Sequence, residues 1–348
     1  MWKKIIDYYK IPEAAKEPST DSARFKKIRL ISFLTATLGY GMYYVCRLSM
    51  NVIRKPMVDD GVFTETEIGI IGSCLFFTYA IGKFCNGFIA DRSNVKKLMS
   101  TGLLISALIN LALGFTNSFI VFAVLWGING YFQSMGAASG VVSLSRWFDA
   151  SNRGTYYGYW SASHNLGEAI TFISIAILAT NFGWRYGLIG AGLIGIAYFF
   201  IMQWLMKDTP QKYGYLLEDA TSKKEEKNKA DFNASQKTVL CSPAIWILAL
   251  ASAFMYISRY AVNSWGVFYL ETMKGYSTLE ASFIISISSV CGIVGTVASG
   301  LISDKLFKGS RNIPALVFGL MNVLALCLFL LVPGVHFYID VIAMVLFG

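Results

Sequence analysis

Apolar runs of about 20 residues, enough for a helix to cross a bilayer, recur from end to end of the chain and are separated by short polar or charged segments. This punctuation predicts helical spans at 29–53, 67–90, 98–116, 119–145, 155–180, 184–206, 243–271, 278–303 and 313–332, with a tenth beginning at 335. One polar insertion is long: 207–241 carries DTPQKYGYLLEDATSKKEEKNKADFNASQK, of mixed charge and few aliphatics, and reads as a linker. It separates six helices from the rest. The pattern divides the chain into an N-terminal tail (1–28), a six-helix half (29–206), the linker (207–241) and a partial second half (242–348) holding helices seven to ten.

Composition strengthens this reading. The 348 residues are 55% hydrophobic and 15% charged, with a mean hydropathy of +0.52, values that exclude an ordinary soluble domain and imply an all-α polytopic membrane protein embedded in a lipid bilayer. The first 28 residues are too charged for a secretory signal. Most of the 30 Lys and Arg fall in that tail and in alternate loops, including the linker, which places both on the cytoplasmic side under the positive-inside rule. Arg54, Lys55, Arg185 and Lys274 fall in the opposite loops. Loop bias accounts for most of the net charge of +9, so no nucleic-acid partner is implied. The six cysteines, five within apolar runs and Cys241 at the edge of one, lack metal or redox spacing and read as packing residues. With no Walker loop, zinc motif or catalytic triad, the sequence points to neither an enzyme nor a cofactor.

A repeat organises the two halves. GKFCNGFIADR from Gly82 and GTVASGLISDK from Gly295 both fit G-x(4)-G-[FL]-I-[AS]-D-[RK], each at the end of a span and before a basic loop. Parallel repeats of this kind are a mark of transporters built from two related halves, with the substrate site between them near the bilayer midplane. The same offset carries Arg47 to within one residue of Arg259, and Tyr44-Val-Cys-Arg47 matches Tyr256-Ile-Ser-Arg259. The arginines are repeat mates, expected to face one another across the interface between halves.

An arginine at a helix centre costs about 2.5–3.5 kcal/mol on insertion scales, so such residues face a cavity or a partner. Only Glu168 and Asp340 lie well inside predicted spans, too few to balance Arg47, Arg259 and Lys83, and a bound anion would supply the difference. The plainer reading of Arg47 is a cation reaching the outer surface, since its span is expected to end about five residues later. Arg259 is central in its span and less open to that reading. Lys83 could reach toward the cytoplasm. His164 is either a satisfied core histidine or a group titrating near neutrality beside a phosphate. Glu168, at i+4, could hydrogen-bond to it with no transport role. Tyr40, Tyr44 and Arg47 share one helical face, and their hydroxyls and guanidinium suit a phosphate or the sugar behind it. Gly127, Gly130, Gly136 and Gly140 read as close-packing positions rather than substrate contacts.

In GYGMYYVCR, YAIGKF, NGYFQSMG, RGTYYGYWSASHNLG, KDTPQKYG and YISRYAVNSW, together with GFIADRSNVKK, the chain resembles the major facilitator superfamily. Within it the resemblance is to the organophosphate:phosphate antiporters typified by the bacterial glycerol-3-phosphate and hexose-6-phosphate transporters. It implies a fold of two pseudo-symmetric six-helix halves, with Arg47 and Arg259 as paired phosphate-binding residues, His164 joining them, Lys83 in the cavity, and Tyr40, Tyr44, Tyr79, Trp160 and Tyr256 along the pathway. It implies import of a small phosphomonoester in exchange for inorganic phosphate, without cofactor, by a monomer in a bacterial inner membrane with its N-terminus cytoplasmic. The family also includes sugar-phosphate sensors that signal to a histidine kinase, a second reading, and another anion such as a carboxylate is a third. Two positions depart from the family: Leu48 follows the first arginine where lysine is common, and Gly167-Glu168 replaces a pair of glycines. The family has twelve helices, and this chain is expected to be truncated in its tenth.

Overall fold

The computed structural model describes residues 7–15, 21–215, 242–305 and 312–348. Among these residues regular structure is entirely helical, in ten long helices: α1 (Ser22–Asp59), α2 (Glu65–Arg92), α3 (Val95–Leu113), α4 (Phe119–Trp147), α5 (Ala150–Phe182), α6 (Trp184–Leu205), α7 (Pro243–Tyr269), α8 (Thr278–Lys305), α9 (Asn312–Leu331) and α10 (Phe337–Phe347). The linker beyond Tyr215, with Cys241, lies outside the described residues, as do residues 306–311 of the second repeat copy. Boundaries follow local chemistry. Asp21 caps α1, Asn94 caps α3, and Thr64 with Glu67 forms a reciprocal capping box at the start of α2. Gly183 separates α5 from α6 at φ 95°, a conformation that favours glycine.

Among the described residues, seven helices are long and apolar enough to cross a membrane, and Ala315–Leu331 and Phe337–Phe347 are shorter apolar helices. Phe77, Trp204 and Leu331 are more than two-thirds exposed, as expected for rings and aliphatics facing lipid rather than water. The helix α1 is not among the seven, although a span is predicted there. Residues 45–54 are buried without interruption, so along this stretch the helix is surrounded by protein and needs no lipid-grade surface, while Leu30, Leu34 and Leu38 before it are exposed. It also runs six residues beyond its predicted end, to Asp59.

Helices α1 to α6 pack as one group, chiefly through α2 on α4, α3 on α6 and α1 on α5, while α5 against α8 and α1 against α7 join it to the second group. Behind Arg47 a buried polar network ties α1 to α3 and α4. Asn110 and Asn129 both donate to the Cys46 carbonyl, at 2.7 and 3.4 Å, Ser49 donates to Asn110 at 2.8 Å, and Ser106 donates to Asn129 at 2.6 Å. With water absent, satisfied side-chain amides of this kind fix helix rotation. At the end bearing the α2–α3 loop, Asp208 accepts from the Val95 amide at 2.6 Å and from Arg146 at 3.2 Å, and Arg146 also donates to the Ala90, Asp91 and Ser93 carbonyls that end α2. Burial pushes the Asp208 carboxyl above its ordinary range, with Arg146 and the amides opposing.

Two cations assigned by sequence to loops are buried instead. The extension of α1 carries Arg54 inward, where it donates to the Ser264 carbonyl at 2.6 Å and to Asn51 at 3.0 Å and lies 4.3 Å from the Trp265 ring centroid. A π-helical turn, Leu270–Lys274, continues α7 and turns Lys274 into contact with Asp340 on α10, and Tyr276 donates to the second oxygen of Asp340 at 2.8 Å. Both members of that ion pair are essentially inaccessible. The cysteine expectation also needs revision, because only Cys46 is buried among those described and Cys327 is exposed on the apolar surface.

Removing one partner of a buried ion pair strands the other and costs about 3–5 kcal/mol. Asp340→Asn should therefore lower the thermal midpoint of the purified protein in detergent markedly, whereas Lys274→Met combined with Asp340→Leu should recover most of the loss. Equal midpoints for wild type and Asp340→Asn would contradict the assigned pairing.

Candidate functional site

The site begins with the α1 face read from sequence. Tyr40 and Tyr44 meet edge to face at 5.4 Å between centroids, Tyr40 stacks on Trp160 at 4.6 Å, and Tyr44 lies 5.7 Å from the His164 ring. These contacts need α1 and α5 to approach closely, which Gly41 and Gly167 allow. A Cβ on Gly167 would sit 2.6 Å from the Gly41 oxygen and 2.9 Å from its Cα. Gly130, Gly136 and Gly140 are similarly tight, against Leu75, Tyr43 and Trp160, whereas Gly127 has room for a Cβ.

Between the groups lies a cavity of about 890 Å³, lined by Tyr40, Tyr44, Tyr79, Lys83, Trp160, His164, Glu168, Tyr256 and Arg259 among others. It extends to Asp91 at the α2–α3 loop end. Eight of the nine residues singled out by sequence line it. Arg47 is the ninth, and occupies a recess of about 20 Å³ shared with Tyr44, Arg54, Glu168 and Asn263. A side chamber of about 370 Å³ runs from His164, Glu168 and Arg259 toward α8 and α10.

The two arginines are held differently. Arg47 is 5% exposed and twelve residues short of the end of α1, so it does not reach the outer surface. Its guanidinium carbon lies 4.4 Å from the Tyr79 ring centroid and 5.6–5.8 Å from those of Tyr44, Phe76 and Tyr260. Ring faces attract the cation but accept few of its hydrogen bonds. Among the described residues it makes no ion pair. Arg259 has partners: its Nη2 lies 2.8 Å from His164 Nε2, donates to Asn165 at 3.0 Å, and is 3.6 Å from Glu168 Oε2.

The expected contact between His164 and Glu168 is absent. His164 Nδ1 faces the Ser161 carbonyl one turn back, and Glu168 instead accepts from Asn263 and Ser289, each at 3.1 Å. Their common partner is Arg259. Lys83 lies 5.1 Å from the Tyr79 ring centroid on the cavity wall, and Tyr256 is more than half exposed and stacks on Tyr260.

Sequence reasoning overlooked Asn51, Asn263, Tyr260 and Arg54. The asparagines had a signal, since Asn51 follows Arg47 by one helical turn as Asn263 follows Arg259. They are repeat mates 212 residues apart, and Asn51 donates to the Asn263 carbonyl at 3.0 Å, joining α1 to α7 beside the site.

A family model described as the Major Facilitator Superfamily matches residues 30–348. The chain belongs to that superfamily. It is thus a multi-pass membrane protein of a transporter family rather than an enzyme family. Within the superfamily it is 33% identical to a "Probable hexose phosphate transport protein" of Chlamydia muridarum over 92% of this chain and 74% of that one. It is 32% identical to the "Membrane sensor protein UhpC" of Salmonella typhimurium over 85% and 69%, and 30% identical to the "Glycerol-3-phosphate transporter" of Bacillus subtilis over 95% and 78%. The crystal structure of a bacterial homologue of the lysosomal transporter Spinster has the same fold, with a TM-score of 0.75 at 18% identity over 92% of this chain and 73% of that one.

The α1–α5 crossing gives a direct test. Gly167→Ala forces two backbones apart and should destabilise the protein by about 1–3 kcal/mol, read as a lower thermal midpoint in detergent. Gly158→Ala, on the same helix with nothing within 4 Å of the added Cβ, should leave the midpoint unchanged or raise it. Similar effects at both positions would contradict the close crossing.

Proposed function

We propose that this protein is a secondary transporter that imports a small phosphomonoester, a hexose 6-phosphate or glycerol 3-phosphate, in exchange for inorganic phosphate. The observation that carries the reading is Arg47, a buried guanidinium facing four aromatic rings with no carboxylate in ion-pair contact among the described residues. A phosphate entering the recess would accept the hydrogen bonds that the rings cannot, and Arg259 would supply a second planar fork from the opposite half. Lys83 adds an ammonium donor, His164, already beside Arg259, can donate from Nε2 as an imidazolium, and Tyr40, Tyr44, Tyr79, Trp160 and Tyr256 offer rings and hydroxyls to the organic part. The similarity to hexose phosphate and glycerol-3-phosphate transporters supports this substrate class.

In this reading the chain sits as a monomer in a bacterial inner membrane with tail and linker cytoplasmic, and the cavity opens to the cytoplasm. The halves, 29–206 and 242–348, rock about the α1–α7 and α5–α8 contacts to present the site to either side. Similarity to the membrane sensor protein UhpC favours a second reading, in which the same pocket binds a sugar phosphate and the protein signals instead of transporting.

Reconstituted into phosphate-loaded proteoliposomes, the protein should release labelled phosphate when external hexose 6-phosphate or glycerol 3-phosphate is added. Binding without efflux would favour the sensor. Arg47→Lys and Arg259→Lys should each lower exchange by about tenfold or more, because an ammonium cannot form the bidentate contact. Near-normal exchange in either variant would refute the assigned site.

A further inference from the structure

Glu168 is unexplained by a site whose task is to hold an anion. It is 4% exposed, and alone among the described residues it lines all three spaces, the main cavity, the side chamber and the Arg47 recess. Its carboxylate accepts from Asn263 on α7 and Ser289 on α8 and lies 3.6 Å from Arg259 Nη2. That nitrogen is the one directed toward His164 and Asn165, so one of the three nitrogens of Arg259 is already shared among protein groups.

A phosphate bridging the two arginines competes with Glu168 for Arg259 and brings a second anion up to a carboxylate that is itself buried. Like charges so placed do not both stay ionised. The carboxylate has no second cation in ion-pair contact among the described residues. If it gains a proton it becomes a donor and can hydrogen-bond a phosphate oxygen instead of repelling it.

We propose that Glu168 is the internal anion of Arg259 in the empty cavity, and that a phosphate dianion displaces it and drives it to take up one proton from cavity water. This rests on the proposed phosphate site at Arg47 and Arg259. Glu168 then acts as a positioning and specificity residue. It sets an affinity threshold that a strongly charged anion passes and a weaker one does not, and it couples phosphate occupancy to protonation.

Charged and titratable groups face Glu168 from several elements: Tyr44 and Arg47 on α1, His164 on its own helix, and Arg259 and Tyr260 on α7. From α8 it meets the neutral Ser289. Between pH 8 and 9 inorganic phosphate is the dianion, and His, with an ordinary pKa of about 6.5, is neutral. Tyrosine, near 10, keeps its proton. Uptake in that window that Glu168→Gln abolishes therefore reports on the carboxyl. Uptake of one proton on binding means that affinity falls by about tenfold per pH unit as pH rises.

Titration calorimetry of the full chain in detergent with inorganic phosphate, in two pH 8 buffers of different ionisation enthalpy, counts the protons taken up. About one per phosphate is expected for the wild type, with affinity falling up to about tenfold from pH 8 to pH 9. Glu168→Gln keeps the shape and can still hydrogen-bond Asn263 and Ser289; it should take up none, bind phosphate at least about tenfold more tightly at pH 8, and lose the pH dependence. Wild-type binding without proton uptake, or equal uptake in Glu168→Gln, overturns the inference and leaves the phosphate site intact. Absence of phosphate binding by the wild type defeats both. Wild-type binding without proton uptake overturns the inference even if the variant does not fold.

Discussion

The burial of guanidinium groups away from bulk water is the constraint on which the rest of this molecule turns. Each carries five N–H donors and a charge that protein or ligand must answer, because hydrocarbon cannot. The protein meets this demand in three ways. Arg54 donates to a backbone carbonyl and an asparagine beside an indole face, its Nε left without a partner. Arg259, partly exposed to the cavity, is shared among a histidine, an asparagine and a carboxylate. Arg47 is left with ring faces. The lack of an ion pair or carbonyl partner among the described residues marks Arg47 as the cation most available to a ligand.

Packing around α1 follows from the same demand. A helix carrying two buried arginines cannot face lipid along that stretch, so α5, α6 and α7 pack around it and the amide network from α3 and α4 fixes its rotation. Glycines at the α1–α5 crossing bring the backbones together, and that approach sets Tyr44 and Arg47 against His164 and Glu168. Hydrophobic burial gives little preference for one helix arrangement over another inside a bilayer, where lipid tails are as apolar as leucine. Hydrogen bonds and close backbone contacts therefore decide the geometry of the site.

Much of this was legible in the sequence, and for physical reasons. Apolar run length fixes spans, and the GFIADR and GLISDK copies with the Tyr-x-x-Arg pair reveal the halves, because the halves share a backbone plan. The readings that failed concern charges near span ends, the burial of the cysteines and one local pair. Hydropathy treats Arg54 and Lys274 as loop cations, since a window cannot see that α1 continues to Asp59 or that a π turn rotates Lys274 toward Asp340. The i+4 spacing of His164 and Glu168 showed a shared face. It could not show that Arg259, Asn263 and Ser289 on other helices compete more effectively for both. Local spacing limits which residues can meet, and the third dimension selects among them.

The placement of strong and weak contacts suits a rocking motion of the halves. Lys274 and Asp340 form a buried ion pair within the second group, where breaking it would strand two charges, so that group is expected to move as a body. Between the groups, on the side away from the cavity mouth, α1 holds α7 through Asn51 to the Asn263 carbonyl and Arg54 to the Ser264 carbonyl. Hydrogen bonds of these kinds contribute about 0.5–1.5 kcal/mol each when neutral and about 1.5–3 kcal/mol when one partner is charged, and water can replace either when the gap opens. These two contacts together contribute a few kcal/mol, a scale that differential binding of an anion to two states can offset. A buried ion pair bridging the halves at the same place would hold one state too firmly for that exchange. Arg54 bonding to a carbonyl rather than a carboxylate is therefore consistent with a contact that must break and re-form, as Arg47 bonding to neither is consistent with a site that must fill and empty.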